Sequence, residues 1–195
     1  MSASSFGIHY IFPHNYEVKV LESYSLVNPA EKLHQFPAQL EAQDRNGVYL
    51  RVTSQTGPTW IGFFGLGFDS PQVASGVYSC PDSNSLCAVV GGYAYVVDVR
   101  DPQSWMQIEQ RPVVEVKPVP ELKLLLFVGF TSIAGLGESG QPWTTERLSW
   151  EGLSITGIQG TTLHGLGWDV IADKEVPFEV DLRAGNSKGG GRPGR

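Results

Sequence analysis

Leu122–Trp150, LKLLLFVGFTSIAGLGESGQPWTTERLSW, decides how this chain is read. Leu122, Leu124, Leu125, Leu126, Phe127, Val128 and Phe130 make a short apolar run between Pro118 and Pro120 on one side and glycines on the other. A run of that length with those flanks fits a buried strand better than a helix. Gly135, Gly137 and Gly140 then follow as GxGxxG, where a dinucleotide fingerprint would sit. Such a fingerprint needs its glycines to open a helix whose N-terminus faces the pyrophosphate, with an acidic residue about 20 positions later. The residues that follow, QPWTTERLSW, make a poor helix interior, and Glu151 lies too close to the motif to serve as that acid. Gly-Leu-Gly recurs at Gly65–Gly67 and Gly165–Gly167, so the tripeptide is expected to mark a repeated tight turn, with no nucleotide or other cofactor.

Working outward, the composition supports many short strands. Hydrophobic residues are 41% of the 195 and charged residues only 17%, with 23 glycines and 13 prolines, so turn formers stand where a helical bundle would carry charge. The net charge of −6 disfavours binding to nucleic-acid phosphates. The chain start, MSASSFGIHYIFPHNY, lacks the basic and apolar regions of a secretion signal, and no apolar run is long enough to cross a bilayer. The expectation is a cytoplasmic protein with no membrane partner. Cys80 and Cys87 are too few for a disulfide framework or a zinc site, and are expected as reduced thiols.

Apolar residues alternate through Phe6–Val27, interrupted at Pro13. Asn28-Pro29 with Glu31 is a helix-start signal, so one or two helical turns are expected before Asp44 and little helix elsewhere. Strands are expected at Val48–Ser54, Thr59–Phe64, Gly76–Cys80, Leu86–Val90 and in YAYVVDV, with the PDSNS stretch between Cys80 and Leu86 as a hairpin loop. Further strands are expected at Leu124–Ile133, Glu146–Trp150, Gly152–Ile158, Thr161–Leu163 and Pro177–Leu182. One β-rich domain is expected over 1–185, followed by a solvated Gly/Arg-rich tail over 186–195, NSKGGGRPGR.

GLGFD at Gly65–Asp69 and GLGWD at Gly165–Asp169 share glycines, leucine, an aromatic and an aspartate, 100 residues apart, and the copy at 135 precedes the last by 30. Repeats of roughly 30 to 40 residues fit that spacing. Ser79-Cys80-Pro81-Asp82 followed by LCAVVGGYAYVVDV resembles the strand, turn, strand, glycine, strand grammar of β-propeller blades, and LLLFVGFTSIAGLGESGQPW and GTTLHGLGWD with PFEVDLRAG are similar to the same plan. The resemblance spans Val48–Gly185 and implies a mainly β fold of antiparallel, blade-like sheets, as a small or partial propeller or else a sandwich. No copy has the Trp-Asp dipeptide in its usual strand-closing place.

The candidate chemistry is sparse. There is no GxSxG, and no two of His9, His14, His34 and His164 stand at metal-ligand spacing. If the chain is an enzyme, a small hydrolase or metal-dependent one, His164 is the candidate base with Asp169 or Asp98 to orient it, and Asp173 and Glu175 could join Asp169 around a hard cation. No metal site is otherwise expected. Of the five tryptophans, Trp143 and Trp168 lie beside glycines and, with Glu138, are the candidate binding residues, whereas the others suit packing between sheets. The leading expectation is a non-catalytic binding module that presents loops to another protein or a small ligand.

Overall fold

The computed structural model describes residues 6–22, 31–38 and 46–191. The helix signal at Asn28-Pro29 and the tail end 192–195 lie outside the described residues. The fold is mainly β, with four sheets of four or five strands and, among the described residues, one 3-10 turn at Pro120–Leu122 as the only helix. The chain divides into two compact units, Met1–Ile108 and Glu109–Arg195.

The first unit holds β1 (Gly7–His9), β2 (Tyr16–Leu21), β3 (Lys32–Phe36), β4 (Gly47–Ser54), β5 (Thr59–Gly65), β6 (Gly76–Ser79), β7 (Ser85–Val90), β8 (Tyr93–Asp98) and β9 (Trp105–Gln107). Strands β6 to β9 form an antiparallel meander in sequence order, and β1 adds to its edge in parallel with β6. The other sheet runs β2-β4-β5-β3, antiparallel except that β3 lies parallel to β5. The alternation in β4 buries Leu50 and Val52 on one face, as two-residue periodicity requires. Rings fill the core: Tyr16, Phe36, Trp60, Phe64 and Tyr95 are buried together with Leu50, Val77 and Leu86. Each polar tip is satisfied across the sheets, the Trp60 indole donating to the Val99 carbonyl at 2.9 Å, the Tyr95 hydroxyl to Gly65 at 3.0 Å and the Tyr16 hydroxyl to Ser85 at 3.0 Å. Ring burial therefore leaves no stranded donor, which would cost about 1–3 kcal/mol each.

The second unit holds β10 (Glu115–Val119), β11 (Leu124–Val128), β12 (Ile133–Gly137) and β13 (Pro142–Thr144) in one meander, then β14 (Leu153–Gln159), β15 (Thr162–Asp169), β16 (Lys174–Asp181) and β17 (Ser187–Gly189) in another. The three sequence-order meanders begin at residues 76, 115 and 153, spaced by 39 and 38, and each is a blade-like unit. The deciding apolar run is β11, buried along its whole length between β10 and β12. Its core is aliphatic, with Leu124, Leu126, Val128, Ile133, Leu148, Leu163 and Val180 around Phe178.

Four sequence expectations are corrected. Lys32–Phe36, within the expected helical stretch, is a strand: Phe36 is buried against Phe64 and Trp60, and the hydrogen bonds of β5 outweigh local helix signals. The Gly-Leu-Gly copies are not turns. Gly65 ends β5, Gly135–Gly137 lies inside β12 and Gly165–Gly167 inside β15. One glycine of each copy lies against a ring: a Cβ on Gly135 would come 2.3 Å from the Trp143 ring directly across the ladder, one on Gly165 would come 2.3 Å from Phe178, and one on Gly67 would come 2.5 Å from Tyr93, whereas one on Gly167 would meet the Leu148 backbone oxygen at 2.2 Å. The solvated tail is also shorter than expected, since Ser187–Gly189 pairs with β16 as an edge strand. Finally, Glu146–Trp150 is not a strand but a connection that buries Leu148 and exposes Trp150.

Candidate functional site

Among the candidate catalytic residues, His164 lies on β15 directly across from Glu179 on β16, its Nδ1 3.6 Å from Oε1, longer than a hydrogen bond. Asp169 closes the same strand, five residues on, so the two side chains leave opposite faces about 17 Å apart along it. The Asp169 carboxylate is already committed: its Oδ1 accepts the N–H groups of Ile171 at 2.9 Å and Ala172 at 3.0 Å, shaping the turn that also contains Asp173 in the left-handed region at φ 49°. His164 and Asp169 are therefore not brought together. Asp98, at the end of β8 in the first unit, is held by Arg100 through its Nε and Nη2 at 3.1 and 2.7 Å and through its backbone N–H at 2.9 Å. That hydrogen bonding holds the Asp98 carboxyl below the usual carboxylate range. Among the described residues no three His, Cys, Asp or Glu side chains gather as metal ligands.

The candidate binding residues fare differently. Trp168 is half-buried in β15, its N–H bonded to the Ser149 hydroxyl and its carbonyl to the Trp150 N–H. Trp143 and Glu138 meet at a cleft of about 360 Å³ on one rim of the second unit. The floor is apolar, from Leu122, Leu124, Trp143 and Leu182, and the rim is polar, from Lys123, Glu138, Gln141 and Arg183. Three hairpin connections build it: the turn from β10 to β11, the turn from β12 to β13 and the turn from β16 to β17. The indole of Trp143 is set by two glycines, since a Cβ on Gly135 would strike one part of the ring and a Cβ on Gly185, at φ 74°, would come 2.5 Å from another. This clamps an otherwise half-exposed ring into one orientation, which lowers the entropy lost when a ligand packs on it. Lys123, in the left-handed region at φ 47° after the 3-10 turn, reaches Glu138 with its Nζ 3.0 Å from both carboxylate oxygens, and Arg183 is paired with Asp181 at 3.0 Å. A rim of paired, solvated charges around an apolar floor suits an amphipathic ligand that exchanges one ion pair for another.

No local pattern marks Lys123, Leu182 or Arg183: Lys123 meets Glu138 through the register of β10 to β13, and Leu182 and Arg183 come from the β14–β17 sheet. A second groove likewise has no local signature in the sequence. In the first unit, Leu33, His34, Gln35 and Phe36 of β3 face Pro102, Gln103 and Trp105 around about 430 Å³, and β3 and β9 are both outer strands of their sheets. His34 meets the edge of Trp60 at 5.7 Å, and its burial, with Lys32 nearby, pushes the imidazole pKa down.

No protein-family model and no curated protein matches the chain. Among solved structures, the chain is similar to the N-terminal domain of Nup159, at 15% identity and a TM-score of 0.37, over 94% of this chain and 53% of that one. It is also similar to a chain in an S. cerevisiae complex of variants of Dbp5 and Gle1 with Nup159, IP6 and ADP, at 12% identity and a TM-score of 0.35, over 90% and 50%. This chain spans about half the length of those structures. Among the described residues no helix is long and apolar enough to cross a membrane.

Proposed function

We propose that the chain is a non-catalytic binding module whose second unit recognises an amphipathic polypeptide segment in the Trp143 cleft. The observation that carries this reading is the convergence of a clamped, half-exposed tryptophan, an apolar floor and an ion-paired rim on three hairpin turns. A polypeptide offers the alternating apolar and charged groups that such a lining complements, and the net charge of −6 opposes a phosphate backbone. The buried thiols of Cys80 and Cys87, both unpaired, support a reducing compartment such as the cytoplasm.

The test is selection from a displayed peptide library on the wild-type protein, followed by affinity measurement against Trp143→Ala and against Gln141→Arg, which fills the cleft from an exposed position without touching the core. Selected peptides should lose about tenfold or more on either variant, as for a central aromatic anchor. Peptides that bind both variants as tightly as wild type would remove the cleft from the function.

A further inference from the structure

The rim of the second unit opposite the Trp143 cleft is built from the turn between β11 and β12, the connection from β13 to β14, and the turn between β15 and β16. Backbone hydrogen bonds stitch these segments into one surface: Leu148 N–H donates to the Thr131 carbonyl at 2.7 Å, Trp150 N–H to Trp168 at 2.9 Å, and Gly191 N–H to Leu148 at 2.8 Å. All the large hydrophobic side chains that are exposed in this unit, among the described residues, sit here: Phe130 at 40% exposure, Trp150 at 37%, Val170 at 54% and Ile171 at 75%. Single exposed apolar residues need no explanation, but four on one rim make a patch of the kind that marks an interaction surface. Hairpin tips ordinarily carry polar residues. Here the Asp169 carboxylate fixes the turn through the N–H groups of Ile171 and Ala172, so Val170 and Ile171 are held outward. Trp150 is likewise positioned, with the Arg147 guanidinium 5.0 Å from its ring centroid. Glu146, Glu151 and Asp173 outnumber Arg147 in the three segments that form this rim, giving it a negative balance.

We infer that this rim is a second docking surface, separate from the Trp143 cleft, for a segment of another protein in which apolar side chains are flanked by lysine or arginine. Charge complementarity selects that occupant. A second copy of this chain would bring acidic rim against acidic rim, which like-charge repulsion opposes. A segment with basic flanks instead covers Trp150, Val170 and Ile171 while its charges meet Glu151 and Asp173.

The probes are two fluorescently labelled peptides, one alternating leucine with lysine and the other leucine with glutamate, read by anisotropy against the whole chain. The lysine peptide should bind wild type about tenfold or more tightly than the glutamate peptide, and the Val170→Ser/Ile171→Ser variant should lose about tenfold of that affinity. Both substitutions lie on an exposed tip, and an unchanged thermal transition verifies the fold. Glu151→Gln/Asp173→Asn should weaken the lysine peptide several-fold and flatten its salt dependence, asparagine being tolerated at the left-handed position 173. Equal affinity for wild type and the double serine variant would overturn the proposal. So would a wild-type dimer in sedimentation that the serine variant abolishes, since the occupant would then be a second copy.

Discussion

In the first unit the core is built of rings, with Tyr16, Phe36, Trp60, Phe64 and Tyr95 enclosed between two sheets, whereas in the second unit the core is aliphatic and its tryptophans lie toward the rims. The polar tips of the first set are used up in sheet-to-sheet hydrogen bonds. In the second unit Trp143 rests on glycines with part of its ring still facing a cleft, and Trp150 is 37% exposed. The same residue type therefore cements one unit and is displayed by the other. A glycine opposite makes room for a ring in either use: Trp143 lies over Gly135 at the cleft, and Phe178 lies over Gly165 in the core.

The largest effect that can sharpen this contrast is expected at Trp60. Trp60→Ala should destabilise the first unit by about 3–5 kcal/mol, from the lost ring and the unpartnered Val99 carbonyl, read as a shift in urea midpoint. A loss under about 1 kcal/mol would contradict the cementing role. In the second unit, Gly165→Ala should cost about 1–3 kcal/mol, because its Cβ would meet both the Phe178 ring and, at 2.6 Å, the backbone oxygen of Ser154. Gly157→Ala, with nothing within 4 Å of the added carbon, is the matched control and should change stability by less than about 0.5 kcal/mol. Equal effects at 157 and 165 would end the account of the glycines as ring beds.

These glycines also show where the sequence could be read and where it could not. The hairpins at Gly76–Val90 and the buried run Leu124–Val128 were legible because their signals are local: apolar runs, alternation and turn residues. Strand β3 was not, because the parallel partner that makes Lys32–Phe36 extended lies more than twenty residues along the chain, while Asn28-Pro29 offered a helix start nearby. Gly-Leu-Gly suggests a turn because glycine signals backbone freedom and close approach alike; only the register, Gly135 opposite Trp143 and Gly165 opposite Phe178, distinguishes the two. Of the candidate cleft, Trp143 and Glu138 carry a local signal, an aromatic and an acid near glycines, but Leu182 and Arg183 enter from the neighbouring sheet.

Smaller effects follow from the solvated groups. Both thiols are buried and burial pushes their pKa values up, so a thiol reagent should label Cys80 and Cys87 only as fast as the first unit opens, with labelling accelerated in Trp60→Ala. Prompt labelling of folded protein would show the thiols to be accessible. The smallest expected change is at Asp98. Its folded pKa is depressed by Arg100, so its stabilisation is present above the unfolded carboxylate value and is lost as pH falls through the folded one. Asp98→Asn should remove that acid-side decline and alter stability at neutral pH by no more than about 1 kcal/mol, as for an exposed pair.

The display of Trp143 is tested most directly by nuclear magnetic resonance of the labelled chain during titration with a library-selected peptide, following the tryptophan indole N–H signals and the backbone amides. The indole of Trp143 and the amides around Lys123, Glu138 and Arg183 should shift together with one saturation curve, while the buried Trp60 indole stays in place. Shifts centred instead on His164 and Glu179, with Trp143 silent, would contradict the account.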